Sequence, residues 1–276
     1  MNSRYNQSTS LIKLAKTVLT NKHVIHQLTV RESTGKYKGS IIGLGWSLFH
    51  PILMLSVYTF VFSVIFKSRW GEASNQSQFD YAIIMFVGII IHGILSDVLN
   101  KASTLITSNV NYVKKVVFPL EILPIISLGS ALFHACISLA VLLIAYALVN
   151  HSLHLTVFLL PIILMPFMLL VLGLAWIISS LGVFIKDTSQ TVSIITLVML
   201  FLAPVFYSAE VVPEAYRFLL NMNPLTFIIE QSRNVIIFGQ YPNWSGLLMY
   251  SLSGSAIFWL GYAWFQKTKK GFADVI

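Results

Sequence analysis

The sequence predicts an all-α integral membrane protein. It reads as six transmembrane helices, an N-terminal amphipathic interfacial helix, and two short outer helices between spans five and six. Three observations predict this. First, 56% of the 276 residues are hydrophobic and 10% charged, with a mean hydropathy of +0.78; soluble domains carry about a quarter charged residues. Second, the chain contains long uncharged runs, such as the 26 residues Ile41–Phe66. At about 1.5 Å per residue, such a run crosses a hydrocarbon core of about 30 Å with some tilt. The runs are apolar on all sides, whereas a barrel strand would alternate, and only helices or closed barrels satisfy the backbone in lipid. Third, 14 of the 18 Lys and Arg residues fall on one side of the alternating spans; Lys67, Arg69, Arg217 and Arg233 fall on the other. That asymmetry places both termini in the cytoplasm.

The same numbers exclude other classes. A net charge of +8 suggests nucleic acid, but its location along the chain assigns it to the cytoplasmic face of a bilayer. The single cysteine, Cys136, can make no internal disulfide and leaves the redox compartment open. No signal peptide is expected, because the first apolar run is too long for one.

In chain order, residues 1–40 form a cytoplasmic arm. Within it, Leu11, Leu14, Ala15, Val18 and Leu19 share one helical face opposite Lys13, Lys16, Thr17 and Thr20, the pattern of an interfacial helix or of one packed on a soluble partner. The first span is 41–66, where Gly39, Gly43 and Gly45 offer a smooth surface to a neighbouring backbone and Pro51 is expected to kink the helix. A polar loop over 67–80 follows, with Trp70 near the interface. The remaining spans are 81–98, 122–149, 155–185, 191–206 and 246–265. Pro124 opens the third, and Pro161 and Pro166 interrupt the fourth. Residues 207–245 disperse carboxylates and arginines among apolar positions and break at Asn223-Pro224. Two short helices dipping into the outer interface fit them better than a span. The tail, 266–276, is basic and cytoplasmic.

No enzyme signature is present: no HExxH, no paired-cysteine metal pattern, no G-x-S-x-G and no P-loop. If ATP drives this protein, the ATPase is on another chain. His50, His92 and His134 sit on three different spans without an i, i+4 pair, which points to helix–helix hydrogen bonds or water contact rather than a metal site. Asp97, near the end of the second span, raises proton coupling, but it lacks a partner carboxylate and sits at the boundary, as an interfacially solvated group would. Two aromatic sets stand out, Tyr58 with Phe62 on the first span and Phe201, Phe206 and Tyr207 at the outer end of the fifth. Such rings stack on sugar C–H faces, and equally serve as ordinary packing.

The stretch RESTGKYKGSIIGLGWSLFHPILMLSVYTFVFSVIF (31–66) resembles the opening segment of ABC-transporter permeases that export lipid-linked polysaccharides, the O-antigen (Wzm-type) and wall teichoic acid (TagG-type) exporters. Arg31, Tyr37, Lys38, Ser40, Gly43, Trp46 and Pro51 match its pattern, while Lys36 stands where arginine is common and His50 where asparagine is common. NYVKKVVFPLEILP (111–124), APVFYSAEVVPEAYRFLLNMNPLTFIIEQSR (203–233) and the terminal KKGFADVI match in the same order. The resemblance implies a homodimeric permease in the bacterial inner membrane, paired with two cytoplasmic ATPase subunits that bind ATP and Mg, and itself neither an enzyme nor a cofactor protein. Its substrate would be an undecaprenyl-linked polysaccharide, most simply an O-antigen. It further implies that Asn111, Tyr112, Lys114, Lys115 and Glu121 couple to the ATPase, and that Tyr58, Phe62, Phe201, Phe206 and Tyr207 are candidates for the substrate path. A drug or lipid exporter of the same architecture is the alternative. A membrane-embedded polyprenyl-phosphate transferase is more remote, since the carboxylates form no cluster.

Overall fold

A computed structural model describes residues 9–66, 70, 78–114 and 118–276. Among these residues the secondary structure is helical, without strands. Lys115 and most of the predicted outer loop lie outside the described residues.

The N-terminal arm folds as α1 (Leu11–Thr20) and α2 (Lys22–Gly35), hinged at Asn21, whose amide donates to the Thr17 carbonyl at 2.8 Å. In α1, Leu14 turns inward and is 5% exposed, while Ile12 and Leu19 face outward. Burial divided in this way suits a helix lying in an interface. Next comes α3 (Gly45–Tyr58), which widens into a π-helical stretch over Thr59–Ile65. Sequence patterning starts this span at residue 41, but residues 41–44 are turns. Gly39 and Gly43 have φ of +89° and +56°, and nothing lies within 4 Å of where a Cβ would sit on either. They therefore make left-handed turns, not the close helix approach their spacing suggested.

The buried centre is α4 (Gln78–Ala102), packed against α6, α7, α8 and α10; Ala82, Met85, Leu95, Val98 and Ala102 are 0% exposed. It runs past its predicted end at 98 and leads through a short turn to α5 (Val110–Lys114). Then follows α6 (Leu123–Asn150), with Pro124 in its first turn and a left-handed His151 at its end (φ 54°), the expected chemistry of a start and a stop. In α7 (Leu160–Phe184), Pro161 sits in the first turn, where a missing N–H costs nothing, and Pro166 is held inside the helix. The fifth apolar helix is α8 (Thr188–Leu202). It stops short of the predicted 206 because Ala203, preceding Pro204, is extended (φ −95°, ψ 152°).

The stretch predicted to form two short helices contains α9 (Arg217–Met222) and α10 (Pro224–Ile236). They are separated at Asn223, whose side chain accepts from the Leu225 amide at 3.0 Å. The chain closes with α11 (Trp244–Thr268) and α12 (Phe272–Val275). The most extensive helix pairing among the described residues is α7 with α11, where Gly173 and Gly261 face each other and a Cβ on Gly254 would lie 2.8 Å from the Pro166 carbonyl. Small residues at a crossing let two backbones meet, which is how apolar helices gain packing energy in lipid, where water no longer drives them together.

Among the described residues, four helical stretches are long and apolar enough to cross a membrane: Gly45–Ile65, Asp80–Ala102, Leu120–Asn150 and Leu155–Phe184. The apolar α8 has only 15 residues, and α11 has 25 but is diluted by serine and glycine.

Candidate functional site

On its inward side, α3 borders an open cleft of about 400 Å³, shared with α4 and α6. Ser47, His50, Pro51, Met54 and Tyr58 line it at helical spacing. Asp97 and Gly93 enter from α4, His134 and Ser138 from α6, and Lys36 with Tyr37 from the turn before α3. The Tyr37 ring meets His134 edge-on at 5.9 Å. Burial and, after it, the Asp97 carboxylate raise the Tyr37 phenol pKa, keeping the hydroxyl protonated. His134 Nε2 is buried without a hydrogen-bond partner. Among the described residues the ion pairs are Lys101–Glu32, Arg217–Glu214 and Lys269–Glu121, so Asp97 is in none of them. His50, Asp97 and His134 give no linear pattern, yet the fold brings them to one space. The third intramembrane histidine, His92, bonds the Thr196 carbonyl of α8 at 2.9 Å. Its role is the helix–helix contact read from the sequence.

At Tyr58 the cleft meets a cluster of rings. Tyr58 and Phe62 are 6.5 Å apart, and Phe62 stacks on Tyr81 at 5.9 Å and on Phe206 at 6.2 Å. Phe206 in turn lies 5.8 Å from Phe201. The Tyr207 hydroxyl donates to the Phe201 carbonyl at 2.9 Å, and the Tyr81 hydroxyl donates to the Phe206 carbonyl. Two aromatic sets that are far apart in sequence therefore form one group, joined through Phe62 on the π-helical stretch. Sequence reading missed Tyr81, which supplies the α4 side of the stack. Its signal was only that it opens a span.

A cation ties the elements around this ring group together. Arg233 of α10 is 3% exposed. Its guanidinium donates to the carbonyls of Ile84 (3.0 Å), Pro204 (2.6 Å) and Val205 (3.1 Å), and lies 4.2 Å from the centre of the Trp70 ring. Burial lowers its pKa to about 9, with the Glu230 carboxylate opposing the shift, so it stays charged at neutral pH. One side chain thus ties α10 to α4 and to the turn leaving α8.

Near the end of α2, Arg31 donates to the Tyr112 hydroxyl at 3.3 Å, and Tyr112 stacks on Phe118 at 4.2 Å. The matched opening motif and the predicted coupling loop therefore touch. Asn111 and Lys114 are exposed. Glu121 is not available for outside docking as expected: it is 8% exposed, its carboxylate accepts from Lys269 at 2.7 Å, and its carbonyl accepts from Trp176 Nε1 at 3.1 Å. Its charge is used to hold the C-terminal tail. Of the remaining matched residues, Trp46 Nε1 donates to Ser40 Oγ at 2.9 Å, Pro51 is buried against the cleft, and Lys38 is exposed. No group of three or more His, Cys, Asp or Glu residues suited to a metal is present among the described residues.

Residues 23–237 match the family model of the ABC-2 type transporter. The chain is also similar to proteins named O-antigen export system permease protein RfbA. One from Klebsiella pneumoniae is 22% identical over 250 residues, covering 90% of this chain and 93% of the relative. A second from the same organism is 23% identical over 251 residues. One from Myxococcus xanthus is 22% identical over 268 residues, covering 96% of this chain and all of the relative.

Proposed function

The chain belongs to the ABC-2 type transporter family, and from that premise we propose that it is the membrane permease of an ATP-driven exporter of lipid-linked polysaccharide, with O-antigen as the cargo named for its relatives. The observation that carries the reading is the cleft beside α3, lined by Lys36, Asp97 and Tyr58, with the ring group of Phe62 and Phe206 adjoining it at Tyr58. Polar groups at the cytoplasmic end suit hydroxyl-rich sugars, and stacked rings farther out offer C–H-binding faces along which a glycan can slide. A drug exporter would call for a more uniformly apolar cavity.

In this proposal the six spans are α3, α4, α6, α7, α8 and α11, with both termini in the cytoplasm of a bacterial inner membrane. At 1.5 Å per residue α8 reaches only about 22 Å, so the bilayer would thin there or the Ala203–Phe206 turn would complete the crossing. The 25 residues of α11 reach about 37 Å. A second copy of the chain would meet the outward faces of α3 and α8, where Phe49, Leu53, Ile194 and Val198 are exposed. Two ATPase subunits would dock on α5 through Asn111, Tyr112 and Lys114, with Lys115 next in sequence, and ATP hydrolysis would be theirs.

Deletion of the gene tests the proposal: lipid-linked glycan should accumulate on the cytoplasmic side, and undisturbed export would contradict it. For the coupling surface, Lys114→Glu is expected to cut co-purification of the ATPase by about tenfold while leaving membrane insertion unchanged. An exposed charge reversal acts at the docking interface without disturbing the fold. Full co-purification would remove α5 from that role.

A further inference from the structure

We infer that the cleft between α3, α4 and α6 is a binding site for a sugar ring, the one nearest the lipid carrier, and not a phosphate site. The inference rests on the polysaccharide reading above and adds to it where the cargo is first held and by which groups. Six residues carry it: Lys36, Tyr37, His50, Tyr58, Asp97 and His134, all on the cleft wall.

Charge decides between sugar and phosphate. With the imidazoles neutral, the formal charges of Lys36 and Asp97 cancel. A diphosphate would bring about two negative charges toward the Asp97 carboxylate, with no arginine on the wall to grip it. A sugar needs the opposite: acceptors for its hydroxyl protons and donors for its oxygens, side by side. Asp97 can only accept, Lys36 can only donate, and each imidazole does one at each nitrogen. The Tyr58 ring offers an apolar face, and the Tyr37 edge a second wall.

Unmet hydrogen bonding supports the same conclusion. His134 Nε2 is buried and unpartnered. A buried polar atom left unpaired costs free energy, and a turn of the ring toward the cleft that His134 lines would let a ligand hydroxyl restore it. A carboxylate and two imidazoles gathered in one cleft between apolar helices mark a functional place more than a packing solution. Size agrees, since about 400 Å³ lies within the range of about 300–1,000 Å³ for small-molecule sites. Position agrees too: a sugar leaving the cleft outward passes Tyr58 and reaches Phe62.

The test is native mass spectrometry of the purified full chain with two probes, a polyprenyl diphosphate and the same carrier bearing one N-acetylglucosamine. The wild type is expected to bind the glycosylated probe about tenfold more tightly, the effect of one or two additional hydrogen bonds. Asp97→Asn removes the charge at an exposed position without changing shape, and His134→Gln is a second, independent variant. Both should bring the ratio of affinities close to one. A wild type that binds both probes equally, or a preference that survives in both variants, overturns the cleft assignment while leaving the transport reading in place. A wild type that binds neither probe overturns the transport reading and the cleft with it.

Discussion

Replacing Arg233 with methionine is expected to lower the thermal midpoint of the purified protein by roughly 10 °C, reflecting a loss of about 3–5 kcal/mol. The guanidinium makes three charged hydrogen bonds to backbone carbonyls of two other segments and lies against the Trp70 ring. Each bond to a charged donor is worth about 1.5–3 kcal/mol, and the carbonyls of the buried Pro204 and Val205, outside any helix, lose this donor. Methionine keeps the length and apolar stem, so the loss is one of polar pairing and not of volume. Arg233→Lys should recover only a small part, because an ammonium cannot span three carbonyls as a planar fork does. Gly88 is the position that makes room: a Cβ there would lie 3.1 Å from Arg233 Nη2 and 3.2 Å from Val205 Cα. A midpoint within about 2 °C of wild type for the methionine variant would mean that α10 is held to α4 by something else.

The second large effect concerns the ring stack. Phe62→Ala and Phe206→Ala are each expected to slow glycan export by about tenfold or more, while the protein still inserts and assembles. Phe62 touches Tyr58, Tyr81 and Phe206, so its removal breaks the stack at its centre. Each aromatic contact contributes about 0.5–1.5 kcal/mol beyond its area; losing two or three during passage converts to about tenfold or more in rate. Phe158→Ala is the control. That ring is 80% exposed in the turn just before α7 and is in none of the ring contacts of the stack, and export should be unchanged. Equal export rates for all three variants would show that the stack is packing only.

Much of this architecture was legible from composition and period. Uncharged runs located the long helices, Pro124 marked a helix start, and the Asn223-Pro224 break separated α9 from α10. Boundaries failed where turn chemistry competed with hydropathy. Residues 41–44 are apolar enough for lipid, but the positive φ of Gly43 keeps them out of the helix. Ala203 is apolar too, but the proline after it makes it extended. The site was legible only in halves. Tyr58 with Phe62 and Phe201 with Phe206 could be chosen as rings at helical or local spacing, but their meeting at Phe62, beside Tyr81, is tertiary. The grouping of His50, Asp97 and His134 was invisible for the same reason, as they are separated by about 40 residues each and share no helix. Glu121 was misjudged because an acid in a polar loop reads as solvent-facing; its partner Lys269 is at the far end of the chain.

The most direct test of the central claim, that a glycan passes beside α3, is photocrosslinking in cells that make lipid-linked polysaccharide. Tyr58 is replaced by benzoylphenylalanine, and in a parallel strain Met165, which is 62% exposed on α7, receives the same substitution. Light should join glycan to the chain at position 58 and not at position 165. Continued export with no glycan adduct at position 58, or with equal adducts at both positions, would contradict it.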